Sequence, residues 1–306
     1  MIVAKKNILI TGILGNLGSK LAERISSSHS IIGLDRRATK IDNKYLTYSF
    51  DIRQKRVEKL FSENKIDTII HLNIMHDLRK TQEEHYSFNV MGTDKLLKLA
   101  KKHGVKKFIL LSSANVYGPR SENPQFINED HPLLGASGFD AIDDLVEMDM
   151  TTSNYFWKAP EMDIVILRPC HIIGNLKNAP TRYLKLKSPI TLLGFNPMIQ
   201  VIHEEDLLSA IELCIENQIK GIFNISSEVT ISLKNLLKKL KRSPVPLPEF
   251  FAKSLLKKLW AIHYTNYPPP ELSHLKYTCM VDSSNFKKST NFKPDFHLQQ
   301  IVDFLK

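Results

Sequence analysis

The sequence predicts an α/β fold, a doubly wound parallel sheet with a small C-terminal lobe. Three observations predict it. Apolar runs of strand length alternate with helix-like segments from Ile8 to Ile225. Gly12, Gly15 and Gly18 stand between the first two runs, and the second run closes on Asp35. Later runs end in short polar clusters, Asn73 after Leu72 and Ser112-Ser113 after Leu111. Open α/β sheets bind ligands at the carboxyl ends of their strands.

Ile8, Leu9 and Ile10 suit a buried strand. A helix follows over 16–25, with Leu17, Leu21 and Ile25 on one face, and then a strand over 31–34 that ends in Asp35. Strand, glycine turn, helix, strand and acid in this order is the layout of a dinucleotide site. Gly12 allows the tight turn, Gly15 lets the backbone approach a pyrophosphate, and Gly18 lets the helix pack on the strand. Asn16 and Leu17 open that helix, whose free N–H groups face the anion. Asp35 stands where a carboxylate accepts from ribose hydroxyls, which favours NAD. Arg36-Arg37 beyond it can hold a 2′-phosphate, so NADP stays open.

A strand over 45–50 ends in Asp51-Ile52-Arg53. Asp51 either bonds an adenine amino group or caps a helix starting near Gln54. The next buried strand, 68–72, carries Asn73, Ile74, Met75 and His76 at its carboxyl end. A helix opens around Asn89, with Leu96, Leu97 and Ala100 on its apolar face. The strand over 107–111 then leads into Ser112, Ser113, Ala114 and Asn115.

With 306 residues, the chain can bury a large core, and its composition is that of a globular domain. Its apolar runs stay short of the roughly 20 residues of a membrane span, and a signal peptide is not expected. Cys170, Cys214 and Cys279 have no metal spacing and argue for a reducing compartment, so a cytoplasmic location is expected. Of the net charge of +10, residues 234–306 hold +8, from 13 Lys and Arg against 5 Asp and Glu. That surface suits anionic partners. No zinc spacing, helix-turn-helix or RNA-binding motif accompanies it, so nucleic acid is not expected.

The chain resembles the extended short-chain dehydrogenase/reductase superfamily, in its branch of NAD-dependent nucleotide-sugar epimerases and dehydratases. The matching motifs are TGILGNLG at 11–18, DIR at 51–53, NVMGT at 89–93 and LSSANVYG at 111–118, with weaker matches in LRPCHIIG at 167–174 and VIHEEDL at 201–207. The resemblance implies a Rossmann-type domain over 1–170 and a mainly substrate-binding lobe over 171–306, with 199–225 returning to the Rossmann sheet. It implies that Gly12, Gly15 and Gly18 contact the pyrophosphate and Asp35 and Arg36 the adenosine ribose. Asp51 and Ile52 then flank the adenine. Leu72, Asn73, Asn89 and Ser112 lie by the cofactor, and Ser113 polarises the reacting oxygen. The expected ligand is a nucleotide sugar or a similar anionic carbonyl or alcohol compound, and a homodimer is the expected assembly.

One part of the pattern breaks. The family's proton transfer rests on a Tyr and a Lys four residues apart on one helix face, because the nearby cation favours a phenolate. Alignment on Ser137 places Phe139 and Asp143 at those positions. Tyr155 and Lys158, three apart, form the one shifted alternative. An active enzyme then draws its acid–base group from His76, Asp140, Asp143 or His171, with Asn115, His171 and Arg182 facing the substrate. The alternatives are a silent NAD(P) sensor or scaffold and a peripheral membrane protein.

The second half reads as a strand over 163–167, irregular chain over 174–200, a helix from Glu204, a strand over 221–225 that closes the sheet, and a helix over 233–240. In 248–264, Phe251, Leu255, Leu259 and Ile262 share a helical face, with Lys253 and Lys257 off it. Such a face either packs on its own domain or lies on an anionic membrane. A stiff proline linker over 267–270 and a short strand over 277–281 complete the expectation.

Overall fold

The computed structural model describes residues 5–37, 44–75, 80–136, 142–176, 178–263 and 269–306. Its centre is a seven-stranded sheet. Six strands come first: β1 (Asn7–Thr11), β2 (Ser30–Asp35), β3 (Leu46–Ser49), β4 (Thr68–His71), β5 (Lys107–Leu111) and β6 (Asp163–Pro169). Three lobe strands follow, β7 (His171–Ile173), β8 (Ile190–Leu192) and β9 (Met198–His203), before β10 (Gly221–Ile225) returns to the sheet. The order is β10-β6-β5-β4-β1-β2-β3, and every pairing is parallel. The chain winds outward in both directions from β1 and β4, so their carboxyl ends form the switch point.

Parallel strands covered on both faces read as continuous apolar runs, and Ile8–Ile10, Phe108–Leu110 and Ile164–Leu167 are fully buried. The covering helices are α1 (Asn16–Ile25), α2 (Arg56–Glu63), α3 (Gln82–His85), α4 (Gly92–Lys102), α5 (Asp143–Ser153) and α6 (Tyr155–Lys158). α1 has the span its periodicity predicts and buries Leu21, Ala22 and Ile25. A π-helical turn, Tyr86–Met91, joins α3 to α4.

The lobe has its own core, from Tyr183 and Leu184 through Leu236 and Leu237 to Ile301 and Leu305. Its helices are α7 (Ala179–Lys185), α9 (Leu233–Lys239), α10 (Glu249–Ala261) and α12 (Leu298–Leu305), whereas α8 (Glu204–Glu216) and α11 (Ser284–Thr290) bury Leu207 to Ile215 and Phe286 in the core of the main sheet. β9 pairs with β7 and with β11 (Thr230–Ser232), and β12 (Val245–Leu247) pairs with β8. α8 is tied to α1 by Lys20 with Glu204 and Glu205, at 2.8 and 2.6 Å, and by Arg24 with Glu212 at 2.7 Å.

Four expectations change. Residues 174–200 are not irregular: Asn178 caps α7 by accepting from Thr181 N at 3.1 Å, and β8 follows. The strand over 277–281 reduces to one bridge between Val281 and Ile127. Of the proline linker, Tyr267 and Pro268 lie outside the described residues, and Pro269–Leu275 is a 3-10 helix. α10 buries Ala252 and Leu256, leaving Phe251, Leu255 and Ile262 outside.

Candidate functional site

The switch point is built from backbone. Gly12 has φ +75, and a Cβ there would lie 3.2 Å from Asn73 N and Cα. A Cβ on Gly18 would press on the Gly12 carbonyl and lie 2.8 Å from Ile13 Cα, so only glycine lets α1 sit this close to the turn. At Gly15 an added Cβ meets the Gly12 carbonyl at 3.0 Å and otherwise only Arg37, at 3.9 Å. α1 starts after Gly15 without a side-chain cap, so its leading N–H groups and its dipole face an open approach. Leu17 is half-buried there, and the exposed Asn16 donates its amide to the Asn175 carbonyl.

Two strand ends repeat one device. Asp35, buried at the end of β2, accepts from Leu14 N at 3.1 Å, Arg37 N at 3.0 Å, Arg37 Nε at 2.9 Å and Arg37 Nη2 at 2.7 Å. Burial pushes its pKa up, but the Arg37 guanidinium and the backbone donors outweigh that and hold it below the usual carboxylate value. Asp51 is forked in the same way by Arg53, at 2.9 and 2.7 Å. It does not cap a helix, because α2 begins at Arg56. Arg36 and Arg53 lie over the Phe88 ring, 5.3 and 5.5 Å from its centroid. Ile52 is fully buried against Gly92. Three arginines thus surround two carboxylates at this end of the cleft, which leaves it positive.

Beyond β4, Leu72 is held to Thr11 by a backbone bond of 3.3 Å. Asn73 Nδ2 is buried and has no hydrogen-bond partner among the described residues. The π-helical turn brings Asn89 inward, where Oδ1 accepts from Met75 N at 2.7 Å and Nδ2 donates to Met75 O at 3.1 Å. The same amide donates to Asp144, which is buried with His85 at 3.6 Å. Asp143 is exposed at the start of α5, so the inward-facing acid is its neighbour Asp144, which the helical period alone did not single out. His71 in β4 spans Thr11 Oγ1 at 2.6 Å and Thr93 Oγ1 at 2.9 Å, and burial pushes its pKa down to about 4. It is a neutral structural residue.

After β5, Ser113 Oγ accepts from Asn115 N at 3.1 Å, which leaves the serine proton to donate outward. Ser112 Oγ donates to Asp149 at 2.7 Å. Asp149 is forked by Arg168 at 3.0 and 2.6 Å, and Arg168 also donates to Tyr117 OH at 2.8 Å. Tyr117 in turn donates to Asn224 at 2.8 Å. Burial raises the Tyr117 pKa to about 12, and its hydroxyl is fully engaged, so it is no phenolate base. The shifted couple also fails: Tyr155 OH donates to Asp94 at 3.0 Å, and burial with that carboxylate raises its pKa further from the useful range. The charged Arg168 within an apolar strand was the sequence signal that a buried acid had to pair with it.

A cavity of about 40 Å³ lies in the lobe, lined by His171, Tyr183, Leu184, Gln200, His274, Tyr277 and Cys279 among others, none of them Lys, Arg, Asp or Glu. Cys279 Sγ, 3.6 Å from the Ala114 carbonyl, sets the cavity against the serine loop. The His171 and His274 rings meet edge to face at 5.2 Å. Burial pushes their pKa values down to about 4 and about 3, so both are neutral near pH 7. Arg182 is exposed on α7, away from this lining. His76, Phe139 and Asp140 lie outside the described residues. Among those described, no cluster of metal-ligating side chains is present, and no helix is long and apolar enough to cross a membrane.

The sheet order and the glycine turn at its switch point define the class, a Rossmann-type α/β protein. The chain belongs to the NAD dependent epimerase/dehydratase family, whose model matches residues 8–226. An uncharacterised protein of Mycobacterium tuberculosis is 24% identical over 97% of this chain and 82% of its own length. The UDP-glucose 4-epimerase of Bacillus subtilis is 31% identical, over 49% of each chain. Among solved structures, MoeE5 in complex with UDP-glucuronic acid and NAD aligns with a TM-score of 0.76 at 15% identity, over 97% of both chains. The Thermotoga maritima UDP-glucose 4-epimerase with UDP-glucose aligns with a TM-score of 0.74 at 20% identity, over 98% of this chain and 97% of that one.

Proposed function

We propose that the cleft binds NAD and that the chain acts on a nucleotide sugar or a related anionic alcohol or carbonyl compound. The observation that carries the cofactor reading is the glycine turn, with its positive-φ Gly12, open Gly15 face and uncapped helix start, set directly against the leftover Asn73 donor. An open backbone cradle and an unused amide fit an oxygen-rich anion. Asp35 and Arg37 meet the adenosine ribose, Asp51 and Ile52 flank the adenine, and Asn89 fixes the loop that presents Asn73. When bound, NAD accepts and returns a hydride.

The remaining chemistry belongs to side chains. Ser113 donates its free proton to the reacting oxygen. With Phe139 unable to carry a proton and Asp143 turned to solvent, His76 is the group assigned to move one, in a cytoplasmic enzyme. The uncharged cavity beside the serine loop receives a neutral part of the substrate, and the exposed Arg182 offers positive charge at the edge of the lobe. The ligands of two structural neighbours, UDP-glucose and UDP-glucuronic acid, support the substrate class.

Calorimetric and thermal-shift titration with NAD, NADH, NADP and NADPH tests this. A ligand at 100 times its Kd stabilises by about 2.7 kcal/mol. The expected result is binding of NAD and NADH that Gly15→Val abolishes. No binding by any of the four nucleotides would overturn the reading.

A further inference from the structure

α10 turns its apolar side chains outward. Phe250 is 76% exposed, Phe251 62%, Ile262 69% and Leu255 41%. The helix packs on the lobe through Ala252 and Leu256 instead. At about 100° per residue, the four outward residues fall within an arc of roughly 140°. Lys258 lies inside that arc, and Lys253 and Lys257 follow one edge. Leu193, 59% exposed, extends the patch: its N–H donates at 2.9 Å to the carbonyl of Leu247, just before the helix. Glu249, the helix's single acid, is taken up by Lys253 at 2.7 Å and Lys276 at 2.8 Å.

A soluble surface scatters single apolar residues but rarely lines up two phenylalanines and a leucine on one helix and an isoleucine at its C-cap. We propose that this face of α10 docks on an anionic lipid bilayer and holds the lobe at the membrane surface. Charge complementarity selects that occupant. Residues 234–306 carry +8, and lysines stand both within and beside the apolar arc. An interfacial helix seats Phe, Leu and Ile among the acyl chains while its lysines reach anionic headgroups. A second copy of this face would bring a second set of the same lysines into the contact, with no acid on the helix free to meet them. The proposal is independent of the cofactor reading.

Sedimentation of the full chain with vesicles tests it, comparing phosphatidylcholine alone with phosphatidylcholine containing phosphatidylglycerol at low salt. The chain is expected to pellet only with the anionic vesicles and to be released by added salt. F250D/F251D is expected to abolish pelleting, and the milder F250S/F251S to weaken it. K257E/K258E is expected to weaken it by at least roughly 30-fold, from about fivefold per lost basic residue at an anionic surface with the added repulsion of two carboxylates. All three variants are expected to keep the wild-type Tm, because the changed side chains face solvent. A chain that stays in the supernatant with anionic vesicles overturns the proposal, as does pelleting that F250D/F251D leaves unchanged. A dimer that F250D/F251D dissolves, in a protein that ignores vesicles, assigns the face to a second copy and overturns it equally.

Discussion

Asp35 is a carboxylate with its acceptors already engaged. Arg37 and Leu14 fill both oxygens, so a ribose hydroxyl has to compete with a charged fork. Removing the competitor changes cofactor choice. Arg37→Ala frees Asp35 for ribose hydroxyls and deletes a cation suited to a 2′-phosphate, so the NAD-to-NADP affinity ratio is expected to rise by about tenfold or more in nucleotide titration. The buried histidines set a second residue-scale expectation. His71, His171 and His274 have folded pKa values of about 4, about 4 and about 3. In the unfolded chain each titrates near about 6.5. The unfolded state therefore binds more protons between these values, and stability falls as pH drops through that window. Each proton contributes a slope of about 1.4 kcal/mol per pH unit. Tm measured from pH 7 to pH 4 is expected to decline already above the carboxylate range. His71→Asn, which keeps polar contact with Thr11 or Thr93, is expected to flatten that decline.

At the scale of elements, local signals were legible and distant pairings were not. Gly12, Gly15, Gly18 and Asp35 lie close in sequence, and their spacing follows from one strand–turn–helix–strand unit. The role of Asn89 depends on a π-helical turn that widens the backbone by one residue, which no periodic pattern over Leu96, Leu97 and Ala100 discloses. Asn89→Ala is expected to leave Met75 N–H and O unpaired and to deprive the buried Asp144 carboxylate of its amide donor. The cost is expected near 2–4 kcal/mol in denaturant unfolding, with weaker cofactor binding as the Asn73 loop loosens. α10 illustrates another limit. Periodicity correctly grouped Phe251, Leu255 and Ile262 on one face, but which face meets the lobe is decided by the neighbours available. Ala252 and Leu256 are the residues that meet them.

At the scale of the molecule, a buried polar chain ties the sheet together: Ser112, Asp149, Arg168, Tyr117 and Asn224 join β5, α5, β6 and β10. Arg168 and Asp149 are a fully buried pair, so cutting one partner leaves the other charge uncompensated. Asp149→Ala is expected to destabilise by about 3–5 kcal/mol, measured by chemical denaturation, while a paired apolar replacement at both positions is expected to cost much less. The sequence placed a strand at each end of this chain but gave no register between them. The pairing of Arg168 with Asp149 arises only once α5 lies across β5 and β6.

The return of β10 to the sheet has a consequence for how the protein is made. When β1 to β6 have left the ribosome, the outer edge of β6 is bare, and the carbonyls that bind Lys107, those of Cys214 and Asn217, have not yet been synthesised. The partners of Lys20 and Arg24 are also still to come. The nucleotide-handling half is thus finished last by a segment translated some fifty residues after its sixth strand. Until then the nascent chain carries an open hydrophobic edge, the kind of surface that chaperones shelter.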